Sequence, residues 1–394
     1  MDPKISLGIN NCFAIKRWTA PDDWARVIKD LGLKYIECVT VLENEPFLMP
    51  KDYLQEWADK VNEAQARHGV DVVIVYSDNS TYDTIGLAHP DSRVRTHIIE
   101  NWFGSSFWMA KAIGAGFGYF VHAFPENILF NREKYDLAYN HMQDSCVRVN
   151  RLAAEIGLKN VALEQMYTPH QVPYTIDGMR DLMKAVTRDS SYPLYLTEDV
   201  GHHCQLYLRP DDEKLCASFA RYKKDGYVDL WLGSKEAYEL FTEAKGETLS
   251  QDTIKALMED IDNNEHLFNE PRDTDCYSWL RELGCYSTSV HLQQTDGNRS
   301  AHAHFTSEQN EKGIIHPVKI LRALDECYRR SEEKDMPPRL NHIYLMFELY
   351  IKTIEIGYQG LYNIGQSVDY FRKFIPRDDM YLSELIDWNK DVVV

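Results

Sequence analysis

Eight times along this chain a short apolar run is followed by an amphipathic stretch, and this alternation constrains the fold more than any other feature. The runs are Ile5–Asn11, Tyr35–Thr40, Val70–Ser77, Gly118–Phe124, Val161–Met166, Pro193–Asp199, Thr288–Gln294 and His342–Ile351. They are a few residues long and rich in Val, Ile, Tyr and Phe, which suits strands buried on both faces of a parallel sheet. The intervening stretches, among them Asp52–His68, Ser92–Ile113, Arg132–Ile156 and His316–Arg330, read as helices. Gly32, Gly69, Gly114 and Gly157 stand between helix and following strand, where a helix C-terminal glycine belongs. Eight such units predict an α/β fold, a (β/α)8 TIM barrel forming a single domain over residues 1–394. An open doubly wound sheet is the competing arrangement.

One unit is out of proportion. Residues 203–287 separate the sixth run from the seventh, more than one crossover helix needs. The segment holds an acidic helical stretch, Gln251–Asn263, and the aromatics Tyr227, Trp231, Tyr238 and Trp279. It is expected to be an inserted group of helices carrying a lid or a subunit contact, with a longer surface excursion as the alternative.

Composition narrows the function. The chain carries 61 acidic against 43 basic residues, a formal net charge of -18, which counts against a nucleic-acid partner facing phosphates. The opening residues MDPKISLGIN have no basic segment followed by a long apolar run, so no secretory signal is expected. No stretch of about 18 apolar residues occurs, so no membrane-spanning helix is expected, and a cytoplasmic location follows as an expectation. The eight cysteines are scattered with no CxxC pair, which reads as reduced, buried thiols.

The chemistry sits at the strand ends, as in any such barrel. The fifth run reads Val161-Ala162-Leu163-Glu164, and the sixth closes on Thr197-Glu198-Asp199 before Val200-Gly201-His202. The seventh contains Val290-His291-Leu292-Gln293, and the eighth Leu345-Met346-Phe347-Glu348. A carboxylate in a doubly buried strand is costly unless paired or bound to a cation. Three of them converging on one mouth would repel, and a divalent cation resolves that repulsion. Glu164, Asp199, His291 and Glu348 are therefore the candidate metal ligands, and oxygen donors with one imidazole favour Mn²⁺, with Mg²⁺ or Co²⁺ possible, over a thiolate-seeking metal. Taken singly, each has a plain structural alternative, such as a buried ion pair or a core histidine.

This pattern resembles the sugar isomerase and epimerase branch of the xylose isomerase-like TIM barrels, which includes the D-tagatose and D-psicose 3-epimerase family and the L-rhamnose isomerase family. The shared features are Glu164 ending strand five, Asp199 with His202 ending strand six, His291 in strand seven, Glu348 ending strand eight, and Arg299 beyond His291. The resemblance covers roughly residues 5–202 and 287–375. It implies proton removal beside a carbonyl through a metal-stabilised cis-enediolate, with Glu164 and Glu348 as catalytic acid and base. Return of the proton to the opposite face gives an epimer, and its return to the neighbouring carbon gives an aldose–ketose isomer. The substrate class implied is a small ketose or aldose, free or phosphorylated, and the related families imply a homo-oligomer, dimer or tetramer. His202 and Arg299 would orient substrate oxygens. Two departures stand out: the long segment before strand seven, and Gln293 where these epimerases often carry a Glu.

Other residues are weaker candidates. His122 and Asn11, with Asn10 and Phe13, close strands four and one and are expected to touch substrate. Glu37 reads as a structural or supporting residue. Lys16-Arg17 suit a phosphate less well than a solvated charge pair, and His302 and His304 suit the pocket rim. The glycine-rich stretch Gly114–Gly118 precedes a strand instead of following one, so it does not fit a dinucleotide site. The competing functions are an endonuclease IV-like metal phosphodiesterase, which calls for more metal histidines, and a non-catalytic sugar-binding barrel.

Overall fold

The structure is a computed structural model describing residues 1–77, 86–121, 123–203 and 205–394. Its strands are β1 (Lys4–Asn10), β2 (Tyr35–Val39), β3 (Asp71–Tyr76), β4 (Gly116–Tyr119), β5 (Val161–Glu164), β6 (Leu194–Asp199), β7 (Ser287–Leu292) and β8 (His342–Phe347). Each pairs in parallel with the next, and β1 pairs with both β2 and β8, which closes the barrel and removes the open-sheet alternative. Nearly every strand residue is buried, in agreement with continuous apolar runs. A two-residue strand, β9 (Met380–Tyr381), adds antiparallel to the start of β1, at the end of the barrel away from the strand C-termini.

The outer layer comprises α1 (Pro21–Asp30), α2 (Lys51–His68), α3 (Gly104–Ile113), α4 (Arg132–Ile156) and α5 (Ile176–Ser190). After the sixth strand follow α6 (Asp212–Asp225), α7 (Lys235–Glu243), α8 (Gln251–Asn263), α9 (Cys276–Leu283), α10 (Pro317–Arg329) and α11 (Gly357–Arg372). Side-chain caps start several of these: Thr175 accepts from the Gly178 N–H and Asn131 from the Lys134 N–H. The Ser92–Ile113 stretch is helical throughout, with a π-helical segment Ile98–Phe103 ahead of α3.

Two boundaries differ from the sequence reading. β4 begins at Gly116 and ends at Tyr119, so the latter part of the glycine-rich stretch is itself strand while Gly114 caps the preceding helix, and Phe120, Val121, Ala123 and Phe124 lie beyond the strand. Glycine has poor strand propensity, which disguised it. The long segment is also smaller as an insertion than 203–287. Its last helix, α9, packs on α10, α5 and β6, and is the outer helix that the sixth unit requires. The surplus is α6–α8, which build a core of their own from residues including Leu215, Phe219, Leu232, Phe241, Ile254 and Leu257. Both ends of the surplus are tied to β6 through His203, whose Nε2 lies 3.0 Å from Glu198 Oε1 and whose Nδ1 lies 3.2 Å from the Asp273 carbonyl.

Seven cysteines among the described residues are free thiols, all but Cys216 buried; Cys204 lies outside the described residues. Among the described residues no helix is long and apolar enough to cross a membrane.

Candidate metal and catalytic site

Glu164, Asp199, His291 and Glu348 meet at the C-terminal mouth of the barrel, each offering a ligand atom, with these atoms all within 4.8 Å of one another. His291 is the hub. Its Nδ1 lies 3.2 Å from Glu164 Oε1, 3.4 Å from Glu348 Oε2 and 4.0 Å from Asp199 Oδ2. Its other nitrogen, Nε2, lies 2.8 Å from Glu37 Oε1. Glu37 is fully buried on β2, where Asn10 Nδ2 donates to Oε1 at 2.7 Å and Ser289 Oγ to Oε2 at 3.1 Å. A carboxylate behind an imidazole favours the proton on the nitrogen it faces, so that once the ring gives up its second proton Nδ1 is the nitrogen turned to a cation. On this geometry, Glu37→Gln is expected to weaken Mn²⁺ binding by about 10–100-fold, read by calorimetric titration, while circular dichroism stays unchanged.

Asp199 is held as firmly. Gln293 Nε2 donates to both of its carboxylate oxygens at 3.0 Å, and the Gly201 N–H donates to Oδ1 at 2.7 Å. Gly201 is required here, since a Cβ would lie 2.2 Å from the Gln293 side chain. Gln293 therefore steadies Asp199 with a neutral donor and adds no fourth negative charge. Gln165 completes the support, its amide pairing with the Asp199 N–H and carbonyl at 2.9 Å each. Glu164 Oε2 accepts from the Tyr76 hydroxyl at 2.7 Å. Space for that ring comes from Gly118, whose Cβ would lie 2.2 Å from it.

A cavity of about 360 Å³ opens over this cluster, lined by residues that include Asn10, Tyr76, Glu164, His202, His302 and Glu348. His202 is buried, with Nδ1 3.0 Å from the Gln165 carbonyl and Nε2 3.2 Å from Asp199 Oδ2. His302 places Nδ1 3.2 Å from the Glu348 carbonyl and 3.6 Å from its Oε2.

The donor set suits a divalent cation. Three carboxylates, two of them buried and Glu348 partly so, outnumber the one imidazole among them, and the Glu348 Oε2 atom is buried with no hydrogen bond. Three oxygens and one nitrogen, with no thiol, are the ligands of a hard or borderline divalent ion.

Protons already compete for this space. Burial pushes the Glu164 carboxyl up. Burial also works upward on Glu348, but the imidazoles of His291, His302 and His202 outweigh it and hold that carboxyl well below its usual range. For His291, burial opposes charging, yet Glu37, Glu348 and Glu164 prevail and raise its pKa well above the ordinary value. A cation must displace protons from His291 and Glu164 to use them. Cation affinity is therefore expected to rise with pH through the range of these raised pKa values, by about tenfold per pH unit for each proton displaced. Titrations at a series of pH values check this, and a flat profile would count against the two groups as ligands.

The remaining sequence-level candidates fall elsewhere. Asn11, expected at the substrate, spends its side chain on β2 instead: Oδ1 accepts from the Val39 N–H at 2.9 Å, and Nδ2 donates to Cys38 Sγ at 3.4 Å. Asn10 lines the cavity in its place. Arg299 is exposed and lines a neighbouring cavity with His304. Arg17 donates to the carbonyls of Ile351, Lys352 and Glu355, bracing the loop after β8. His122 lies outside the described residues. Tyr76 and Gln165 went unread in the sequence. A tyrosine closing the apolar run Val72-Val73-Ile74-Val75 was the available signal for the first.

Fold and site together define a class. The family model described as the xylose isomerase-like TIM barrel matches residues 25–228, and the chain belongs to that family. A D-erythrulose 1-phosphate 3-epimerase of Brucella abortus (strain 2308) is 34% identical over 70 residues, 18% of this chain and 23% of that protein. The match thus spans less than a quarter of that relative's length. Among solved structures, a putative xylose isomerase from Rhodospirillum rubrum superposes with a TM-score of 0.66 at 18% identity, covering 93% of this chain and 98% of the other. The D-psicose 3-epimerase of Clostridium cellulolyticum, solved with D-tagatose, superposes with a TM-score of 0.54 at 10% identity, covering 93% and 98%. At these identities the superpositions speak to the fold.

Proposed function

We propose that the protein is a metal-dependent sugar isomerase or 3-epimerase, with Mn²⁺ the preferred ion and Glu164 and Glu348 the acid–base pair. The observation that carries this reading is the meeting of two glutamates, the buried Glu164 from β5 and the partly buried Glu348 from beyond β8, on one imidazole nitrogen at the floor of an open cavity. That the similar Brucella and Clostridium proteins are both 3-epimerases supports it.

A bound divalent cation would supply Lewis acidity, drawing electron density from a sugar carbonyl and the adjacent hydroxyl so that the hydroxyl-bearing carbon beside the carbonyl can lose its proton. Glu164, Asp199, His291 and Glu348 would hold it. The two glutamates enter with unequal proton affinity: Glu348 is kept ionised by its histidine neighbours, and Glu164 is the one that burial protonates more readily. One removes the proton and the other returns one, which inverts the carbon if delivered from the opposite face. Tyr76 holds Glu164 in place by donation, and its phenol remains protonated, since burial and then Glu164 push its pKa far upward. His202 and His302 stand where substrate hydroxyls would be oriented. His122 and Arg299 are retained as further substrate contacts, the latter from the adjoining cavity.

The test is solvent exchange. The Mn²⁺-loaded protein in D₂O should place deuterium at C3 of a ketose if it epimerises and at C1 if it isomerises. Absence of exchange in every tetrose, pentose and hexose offered, whether free, phosphorylated or glycosylated, would defeat the proposal.

A further inference from the structure

Beside the catalytic pocket lies a second, larger cavity of about 760 Å³. His302 and Tyr350 line both spaces, so the two adjoin across these side chains. Both volumes fall in the range of about 300–1,000 Å³ over which proteins hold small organic ligands, so a single sugar unit does not need the pair.

The lining of the larger cavity indicates what it takes. Arg299, Lys312 and Lys352 are matched by Asp296, Glu308 and Glu355, so the formal charges cancel. His304 adds no charge, because burial lowers its pKa. Amide and hydroxyl groups fill much of the remainder, among them Thr306, Gln309, Asn363 and Gln366. His304 Nε2 is buried without a hydrogen-bond partner, an acceptor or donor that a ligand could satisfy. Cancelled charge gives an anionic tail no net attraction, and an apolar tail would strand these polar groups. A neutral polyol, whose hydroxyls both donate and accept, satisfies a mixed lining of this kind. Tyr350, 38% exposed, adds an aromatic ring at the shared wall.

We propose that the substrate is a glycoside: a reacting sugar unit in the catalytic pocket joined to a second, uncharged sugar unit held in the adjoining cavity. This rests on the isomerase reading above and narrows its substrate class.

The test compares D-fructose, D-fructose 6-phosphate and the keto-disaccharides isomaltulose, maltulose, turanose and lactulose on the Mn²⁺-loaded full chain, by ligand-detected NMR for binding and by D₂O exchange for turnover. At least one disaccharide should bind about tenfold or more tighter than fructose, a gain of about 1.4 kcal/mol. The double variant Asn363→Ala/Gln366→Ala should cut that ratio by about tenfold, the effect of losing one or two net hydrogen bonds. No disaccharide advantage, while fructose still exchanges, overturns the inference and leaves the isomerase reading standing. A disaccharide advantage without exchange in any sugar supports the cavity assignment and defeats the isomerase reading. Preference for the phosphate alone, a disaccharide advantage that survives the double variant, or binding of none of the sugars overturns the inference.

Discussion

Replacing Glu348 by Gln is expected to slow hydrogen exchange at the reacting carbon by about 10²–10⁴-fold, the range over which a positioned acid or base accelerates proton transfer. That loss corresponds to about 3–5 kcal/mol of barrier. The amide has nearly the shape of the carboxylate and can still lend an oxygen to a cation, but it cannot take a proton. Glu348 Oε2 is approached by His291 Nδ1 at 3.4 Å and by His302 Nδ1 at 3.6 Å, so the amide keeps the shape of the site and exchanges these ion-pair contacts for neutral ones. Glu164→Gln should match it in magnitude while also disturbing the Tyr76 hydroxyl that donates to Oε2. Exchange rates with the cation at saturation separate the lost proton transfer from weakened ligation. A variant retaining more than about a tenth of the parent rate would remove that glutamate from the acid–base pair.

The second large effect concerns His291. It is the one nitrogen donor among the four clustered residues, and it touches all three carboxylates. His291→Asn is expected to abolish measurable high-affinity Mn²⁺ binding and turnover together. In the parent protein, free Mn²⁺ at about 100 times its Kd should stabilise the fold by about 2.7 kcal/mol, seen as a raised melting temperature. That rise should vanish in the variant. In the metal-free state the variant should also melt lower than the parent, because the charged imidazole that offsets Glu37, Glu164 and Glu348 is gone. Melting curves with and without Mn²⁺, on parent and variant, check both statements.

The parts of this molecule that were legible in sequence share a physical reason. Glu164, Asp199, His291 and Glu348 are polar groups in runs otherwise too apolar to tolerate them, so each announces a compensating partner. What escaped depends on direction. Asn10 and Asn11 are adjacent, and alternation guarantees only that they face differently, not which of them faces the cavity. Where β1 ends decides this: Asn11 opens a 3₁₀ turn and bonds to β2, and Asn10 faces Glu37. Glu37 itself looked structural, and its proximity to His291 is visible only once β2 and β7 are brought across the barrel. β4 was misplaced because its glycines give room to neighbours, Gly118 to Tyr76 and Gly116 to Asn160, at the cost of strand propensity. The insertion was drawn too long because α9 has the amphipathic pattern of any surface helix, and only its packing on α10 and α5 makes it part of the ring.

The central claim, that these four side chains form one mononuclear site with a single imidazole ligand, has a direct spectroscopic test. Pulsed electron paramagnetic resonance of the Mn²⁺-loaded protein, with metal content measured on the same sample, should show one Mn²⁺ per chain coupled to one directly bound histidine nitrogen, and His291→Asn should erase that coupling. Three tightly held zinc ions per chain, as an endonuclease IV-like site requires, or Mn²⁺ with no nitrogen coupling, would contradict the account.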